Sequence, residues 1–299
     1  MSCIDVEVTH GDRVLFPANK ITKRDLVEYY REVSDVMLPH LKGRPLNVQR
    51  FPRGIDQKGF LQQDFADTLP DWMSGAEVTK EGGTLVHPVA ERREALAWLA
   101  NQNCITLHMW QSRRRRLHSP DRLVFDLDPS DSDFAVVRAT AHAFAGVLDD
   151  LGLPSYVQTT GSRGLHVVVP LRADTDFDTA RQFARDVAEA VVADDEAHRT
   201  IEARKDNRGG RVYLDIMRNA YAQTAVAPYS VRARPGAPVA TPLEWDELDA
   251  LKNRSLRADR FTLRDIPKRL AGQRDPWADM SRHARSLAGP MKRVAKLRA

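Results

Sequence analysis

Arg122-Leu-Val-Phe-Asp-Leu-Asp-Pro129 constrains the fold more than any other stretch of the chain. An apolar run that closes on proline reads as a short buried strand, because Pro129 has no N–H to extend a ladder. Successive strand side chains point to opposite faces, so Asp126 and Asp128 project the same way. Two such anions repel each other unless a cation lies between them. Mg²⁺ or Mn²⁺, held by carboxylate oxygen, is the natural occupant. Alone, an Asp-x-Asp is more often a strand running into a solvated turn, so the rest of the chain must decide.

A length of 299 residues with 42% hydrophobic content allows one large domain or two intimate subdomains. The two cysteines, Cys3 and Cys104, are far apart in sequence. That argues against a structural zinc site and a disulfide scaffold, and fits a reduced, cytoplasmic compartment. No apolar run approaches the ~18 residues of a membrane span, and the N-terminus does not read as a signal peptide. The net charge of +4 is mild evidence for a polyanionic partner. Its distribution says more. Arg113-Arg-Arg-Arg116 directly precedes the carboxylate strand, and further clusters hold Arg204, Lys205, Arg208, Arg211, Arg232 and Arg234. A basic run is often only a solvated surface. Basic clusters flanking an acidic metal site instead suggest a phosphate substrate held beside a metal.

Thr22-Lys-Arg-Asp25 resembles a capping box with Asp in place of Glu. It opens a helix with Leu26, Tyr30, Val33 and Met37 as its apolar stripe, predicted to end before Pro39. Helical spacing recurs over 91–100, 133–151 and 178–192. Strands are expected over 103–110, 156–159, 166–169 and 211–217. The tail from Thr241 reads as helices and loops, and roughly its last ten residues as a disordered basic tail. Regular βα alternation is missing, which favours an α+β fold with mainly antiparallel pairing.

Three more stretches carry chemistry. In Thr159-Thr-Gly-Ser-Arg-Gly-Leu-His166, two glycines permit a tight turn, two hydroxyls flank it, and Arg163 adds a planar cation. This suits a phosphate cradle, although it is not a Walker loop, and a plain hairpin loop is equally compatible. His166 opens an apolar strand, where a satisfied structural histidine is the commoner finding. In Asn207-Arg-Gly-Gly-Arg-Val-Tyr-Leu-Asp-Ile216, Asp215 is a charge inside an apolar strand. It should face a metal, a cleft or an arginine such as Arg211 or Arg218. Tyr229-Ser-Val-Arg-Ala-Arg234 is a plausible basic arm over a triphosphate. Together, three aspartates on two strands, a hydroxyl/Arg/Gly turn and scattered arginines match two-metal nucleotidyl transfer.

With these motifs in this order, the chain resembles the polymerase domain of bacterial ATP-dependent DNA ligase D, within the archaeo-eukaryotic primase superfamily. The resemblance runs from about Arg13 to Ser286. Arg122–Pro129 matches the first metal motif, Thr160–His166 the nucleotide-binding motif, and Arg208–Asp215 the segment carrying a third metal ligand. Arg13-Val-Leu-Phe-Pro17 and Ile21-Thr-Lys23 match the N-terminal segment.

The resemblance implies a primase-type catalytic core of two mixed or antiparallel sheets with flanking helices. It implies one catalytic domain over 1–299, with a subdomain of about 1–110 on a core of about 111–299. Asp126, Asp128 and Asp215 would hold Mn²⁺ or Mg²⁺, with Asp215 near the primer hydroxyl. Thr160, Ser162, Arg163, His166, His108, Arg208 and Arg232 would surround the triphosphate and sugar. Phe60 would stack on a base. Arg13 and Lys23 would grip a 5′-phosphate on gapped or broken DNA.

Some positions depart from the family pattern. Leu61 stands where a second aromatic often follows Phe60. Gln49 and Gln63 stand where lysine is often found, which leaves Arg50 to supply part of the phosphate contact. Thr160 and Arg13 stand where Ser and Lys are common.

The activity implied is template-directed addition of NTP or dNTP, with ribonucleotides preferred, at short gaps or breaks in end joining or excision repair. The implied partners are a DNA ligase or a Ku-like end-binding protein, and the implied location is the bacterial nucleoid. A K-x-D-G adenylation motif is absent, and the expectation is a stand-alone polymerase, with a domain cut from a larger protein as the alternative. Two rival readings remain: a metal-dependent nuclease using the same carboxylates, and a non-catalytic DNA end-binding module.

Overall fold

The carboxylate strand forms as Arg122–Pro129 and ends on its proline. It lies inside a six-stranded sheet. The computed structural model describes residues 4–131, 133–250 and 257–297. They fall into two units. One comprises Met1–Arg115, Val226–Thr241 and Phe261–Asp275; the other comprises Arg116–Ala225, Pro242–Arg260 and Pro276–Ala299. The first break lies near the expected boundary at about residue 110. Two later segments return to the first unit, a topology that hydrophobic patterning along the chain does not disclose.

In the second unit the sheet order is Arg199–Thr200, Val212–Asp215, Arg122–Pro129, Leu165–Pro170, Tyr156–Thr159 and Pro242–Leu243. Every pairing in it is antiparallel except the one between Arg199–Thr200 and Val212–Asp215. The helices Phe134–Asp150 and Phe177–Asp194 pack on the carboxylate strand and on each other. Phe144 meets Phe125 with ring centroids 4.4 Å apart, so the odd-numbered face of the strand is the helix-covered one. On the even-numbered face, Val124 joins a small buried cluster with Val168, Ala225, Trp277 and Met280. Asp126 and Asp128 follow on that same face, beyond this apolar cover.

The core of the first unit gathers the helices Lys23–Glu32, Ser34–Leu41 and Arg93–Asn101 around the antiparallel strands Leu46–Arg50 and Cys104–Trp110, and Phe60–Gln62 pairs with Leu46–Arg50 as an exposed edge strand. The capping box is complete: Asp25 N–H donates to Thr22 Oγ1 at 3.3 Å, and Thr22 N–H donates to Asp25 Oδ2 at 2.7 Å. Leu26, Tyr30, Val33 and Met37 are all buried, as the stripe predicts.

Three expectations need correction. The first helix stops at Glu32, and Pro39 lies inside a second helix, Ser34–Leu41. There Ser34 Oγ donates to the Arg31 carbonyl at the join, and bonding resumes past Pro39 with Lys42 N–H to Leu38 O. The proline thus removes one bond from a ladder that continues. The tail contributes a strand, Pro242–Leu243, to the main sheet. The last ten residues are not a disordered tail as far as Leu297: Ala288–Leu297 is a helix anchored by buried Val294 and by Arg293, which donates to the Leu151 carbonyl. Residues 298–299 lie outside the described residues. Two short ribbons, Val14–Phe16 with Ile21–Thr22 and Gly75–Lys80 with Gly83–Pro88, add to the two main sheets. The α+β class holds. No helix among the described residues is long and apolar enough to cross a membrane.

Candidate active site

Strand register builds the site. Asp215 is the direct cross-strand partner of Asp126, His166 is its partner on the other side, and Gln158 is the partner of His166. Direct partners share a face, so four adjacent strands present one row: Asp215, Asp126, His166, Gln158. His166 is buried, with Nδ1 3.1 Å from Gln158 Nε2 and Nε2 3.5 Å from Asp126 Oδ1. It orients a carboxylate and is less exposed than a direct ligand contact would suggest.

The turn between the second pair of strands depends on its glycines. Gly161 has φ +62°, a conformation that L side chains rarely adopt. A Cβ at Gly164 would lie 1.9 Å from the Leu127 carbonyl oxygen, so only glycine lets the turn approach the carboxylate strand. Thr160 closes the turn. Its N–H and hydroxyl both donate to Gly164 O at 3.0 Å, and its hydroxyl accepts from Gly164 N–H at 3.2 Å. Thr160 is thereby buried structure, while Ser162 is half-buried and Arg163 exposed at the tip.

Three arginines face the three aspartates. Arg163 Nη2 lies 3.5 Å from Asp128 Oδ1, and Arg208 Nη1 lies 3.6 Å from Asp128 Oδ2. Arg208 sits over the Tyr213 ring, its Cζ 3.9 Å from the centroid, and donates to the carbonyls of Glu202 and Ala203. Arg218 Nε lies 3.1 Å from Asp126 Oδ2 and 3.5 Å from Asp215 Oδ2. Of the two arginines considered as partners for Asp215, Arg218 is the one that pairs; Arg211 donates to the Arg208 and Asn207 carbonyls. Arg218 is the site residue that the sequence pattern marks least. Its signal was its place three residues past Asp215, where the chain leaves the strand and turns back.

Burial alone would raise the Asp126 carboxyl. The His166 ring and then Arg218 outweigh it and hold the group well below the usual carboxylate range. Burial pushes Asp215 up, against the opposing pull of Arg218 and the Met217 amide. Among the described residues, no three His, Cys, Asp or Glu groups converge as a set that could hold a metal ion. Two of the aspartates nevertheless already meet on one cation, the Arg218 guanidinium. An all-carboxylate donor pair of this kind suits hard divalent cations such as Mg²⁺ and Mn²⁺.

The remaining candidates belong to the first unit. His108 and Phe60 lie on its sheet, and Phe60 is exposed with Arg50 5.6 Å from its ring centroid. Arg232 is half-buried in the returning segment, its N–H bonded to Pro238 O. Lys23 N–H donates to Arg13 O at 2.8 Å, which brings those two residues together. Burial first, then the charges of Arg13 and Arg50, lower the pKa of Lys23. Three cations therefore cluster there.

A family model for the LigD primase-polymerase domain matches residues 22–277. The chain belongs to this family. It is similar to the multifunctional non-homologous end joining protein LigD of Mycolicibacterium smegmatis, 35% identical over 257 residues, covering 85% of this chain and 34% of that protein. The bifunctional non-homologous end joining protein LigD of Bacillus subtilis is 32% identical over 281 residues, covering 93% of this chain and 44% of that protein. The chain thus spans less than half the length of these relatives. The polymerase domain of Mycobacterium tuberculosis ligase D, solved in complex with DNA, matches with a TM-score of 0.87 at 33% identity, covering 94% of this chain and 99% of that one. The LigD primase-polymerase fold is thereby established for the chain, and with it the nucleotidyltransferase class of the domain.

Proposed function

We propose that the chain adds nucleotides, ribonucleotides by preference, to the 3′ ends of DNA at short gaps or breaks, as a step of end joining. The observation that carries this reading is the row Asp215–Asp126–His166 across three paired strands, with the arginine-tipped Thr160–Gly164 turn beside it. Asp126, Asp128 and Asp215 would hold divalent cations, which supply charge neutralisation on the triphosphate and a more acidic primer hydroxyl. His166 fixes the Asp126 carboxylate, and Arg163 and Arg208 stand ready for phosphate oxygens. Asp215 would lie nearest the primer 3′-hydroxyl, as the resemblance implies, on the strand beside Asp126.

In the first unit, the Arg13–Lys23–Arg50 cluster would take the 5′-phosphate at the far side of a gap. Exposed Phe60 would stack on a base. A DNA ligase or a Ku-like end-binding protein would be its partner, as the family resemblance implies; the names of the relatives carry the role in non-homologous end joining.

The test is extension of a primer across a one-nucleotide gap with Mn²⁺, with and without a 5′-phosphate, comparing NTP with dNTP. Asp126→Ala with Asp128→Ala should lower extension by roughly a thousandfold or more while DNA binding is retained. Extension by that double variant at the wild-type rate would remove the reading. Cleavage of labelled DNA with metal but no nucleotide would favour the nuclease. Binding of gapped DNA without any incorporation would favour the non-catalytic module.

A further inference from the structure

We propose that Arg218 is a resident counter-cation for Asp126 and Asp215, which a divalent cation must displace, so that this arginine sets the metal affinity of the site. The inference rests on the reading that these aspartates hold metal.

The geometry is specific. One nitrogen, Arg218 Nε, lies 3.1 Å from Asp126 Oδ2 and 3.5 Å from Asp215 Oδ2, so a single cation already spans the two strands. The backbone that carries it is fixed on both sides. Met217 N–H donates to Asp215 Oδ1 at 2.8 Å. Asn219, fully buried, donates through Nδ2 to Val124 O and accepts at Oδ1 from Val124 N–H, both at 2.7 Å. Val124 lies on the carboxylate strand itself, two residues before Asp126. The turn Met217–Asn219 is therefore fastened to the strand it neutralises, and Arg218 is delivered to the carboxylates by design of the backbone.

The side chain of Arg218 is 38% exposed, against 15% for each carboxylate, so the arginine has an outward route and the aspartates do not. Asp128, 42% exposed, is served by other cations, Arg163 at 3.5 Å and Arg208 at 3.6 Å. The pair most deeply buried is thus the pair that the single arginine bridges. Two buried anions without a counterion would repel each other, and an arginine that can leave satisfies them in the metal-free state. Metal binding then exchanges one cation for another at the same oxygens. The competition lowers apparent affinity by the fraction of molecules in which the arginine is already away.

The experiment titrates Mn²⁺ into the full chain without DNA or nucleotide and follows the signal of free Mn²⁺ by electron paramagnetic resonance. Arg218→Gln is expected to tighten Mn²⁺ binding about tenfold, the gain when a competitor that holds the site nine-tenths of the time is removed. Asp126→Asn is expected to abolish that binding. Arg211→Gln, which removes the same charge from a residue bonded to carbonyls, is expected to leave it unchanged. In EDTA, Arg218→Gln should melt below wild type, and adding it to Asp126→Asn should cost less than it does alone.

Unchanged or weaker Mn²⁺ binding by Arg218→Gln, with Asp126→Asn still abolishing it, overturns the inference and leaves the metal reading standing. Equal tightening by Arg211→Gln overturns it as well, since general charge would then suffice. Identical Mn²⁺ titration of wild type and Asp126→Asn removes the metal reading itself and the inference with it. Should Arg218→Gln fail to fold, Arg218→Lys keeps the charge without the guanidinium. It should shift binding in the same direction by a smaller factor, and no shift would overturn the proposal.

Discussion

The molecule holds two clusters of like charge, and they are balanced in different ways. In one unit, Asp126, Asp128 and Asp215 are met by Arg163, Arg208, Arg218 and His166. In the other, the cations Arg13, Lys23 and Arg50 have neutral oxygens as hydrogen-bond partners: Pro52 O for Arg13, Thr9 Oγ1 for Lys23, and Gln102 O and Gln62 Oε1 for Arg50. The acidic cluster carries its own countercharge, so an incoming cation must exchange with it. The basic cluster receives dipoles rather than anions, so an incoming phosphate would add charge where charge is missing. The difference predicts opposite responses when one charge is removed from each.

The largest effect should come from the backbone that builds the acidic cluster. Gly164→Ala places a Cβ against the Leu127 carbonyl, an atom that cannot yield as a flexible side chain would. A loss of about 2–4 kcal/mol in chemical unfolding is expected. Extension activity should fall with it, because the register that sets His166 beside Asp126 is the register being pushed apart. Binding of 5′-phosphorylated gapped DNA, read by fluorescence anisotropy, should survive at temperatures where the variant is folded. Loss of both together would mean that the two clusters are not separable.

This dependence on Gly164 also shows what a sequence can and cannot disclose. The alternation in Arg122–Pro129 and the lone charge of Asp215 were enough to predict two strands and a shared acidic face, because side-chain period is a local property. The capping box at Thr22–Asp25 was legible for the same reason. Pairing register is not local. That Asp215 and His166 flank Asp126 directly depends on strands that lie far from one another along the chain. Arg218 stands in the sequence as only one of two arginines near Asp215, since nothing there says that Asn219 pins its turn to Val124. Pro39 misled because a proline removes one hydrogen bond without forbidding the helix around it. Trp277 and Met280 cover the face beside the aspartates from a segment that reads as mere tail.

The middle effect contrasts the two clusters directly, in metal-free buffer. Asp126→Asn leaves His166 and Arg218 without their shared anion, and a loss of about 1–3 kcal/mol is expected. Lys23→Met should do the reverse. It replaces a buried cation beside Arg13 and Arg50 with an apolar chain of similar reach, so stability should hold or rise by up to about 1 kcal/mol. The same variant should lose the gain in extension that a 5′-phosphate confers, by about tenfold if one charge-assisted bond is removed. A Lys23→Met variant that is clearly destabilised yet keeps the phosphate effect would assign the lysine to packing instead.

The smallest effect is the pH dependence of that Lys23→Met difference, and it separates charge from packing. Burial, then Arg13 and Arg50, lower the Lys23 pKa in the folded chain below its ordinary value of 10.5. In the unfolded chain the ordinary value returns. Between the two values the unfolded chain binds more protons, so the wild type gains stability as pH rises through that window. Below the lowered value the lysine is charged in both states, and its destabilising effect is at full strength. Above 10.5 it is neutral in both, and the effect is gone. The stability gap between Lys23→Met and wild type should therefore be widest at neutral pH and close as pH approaches 10.5. A 5′-phosphorylated oligonucleotide at neutral pH should close it by another route, supplying the missing anion while the lysine keeps its proton. A gap that neither alkali nor phosphate narrows would place the cost of Lys23 in its fit rather than its charge.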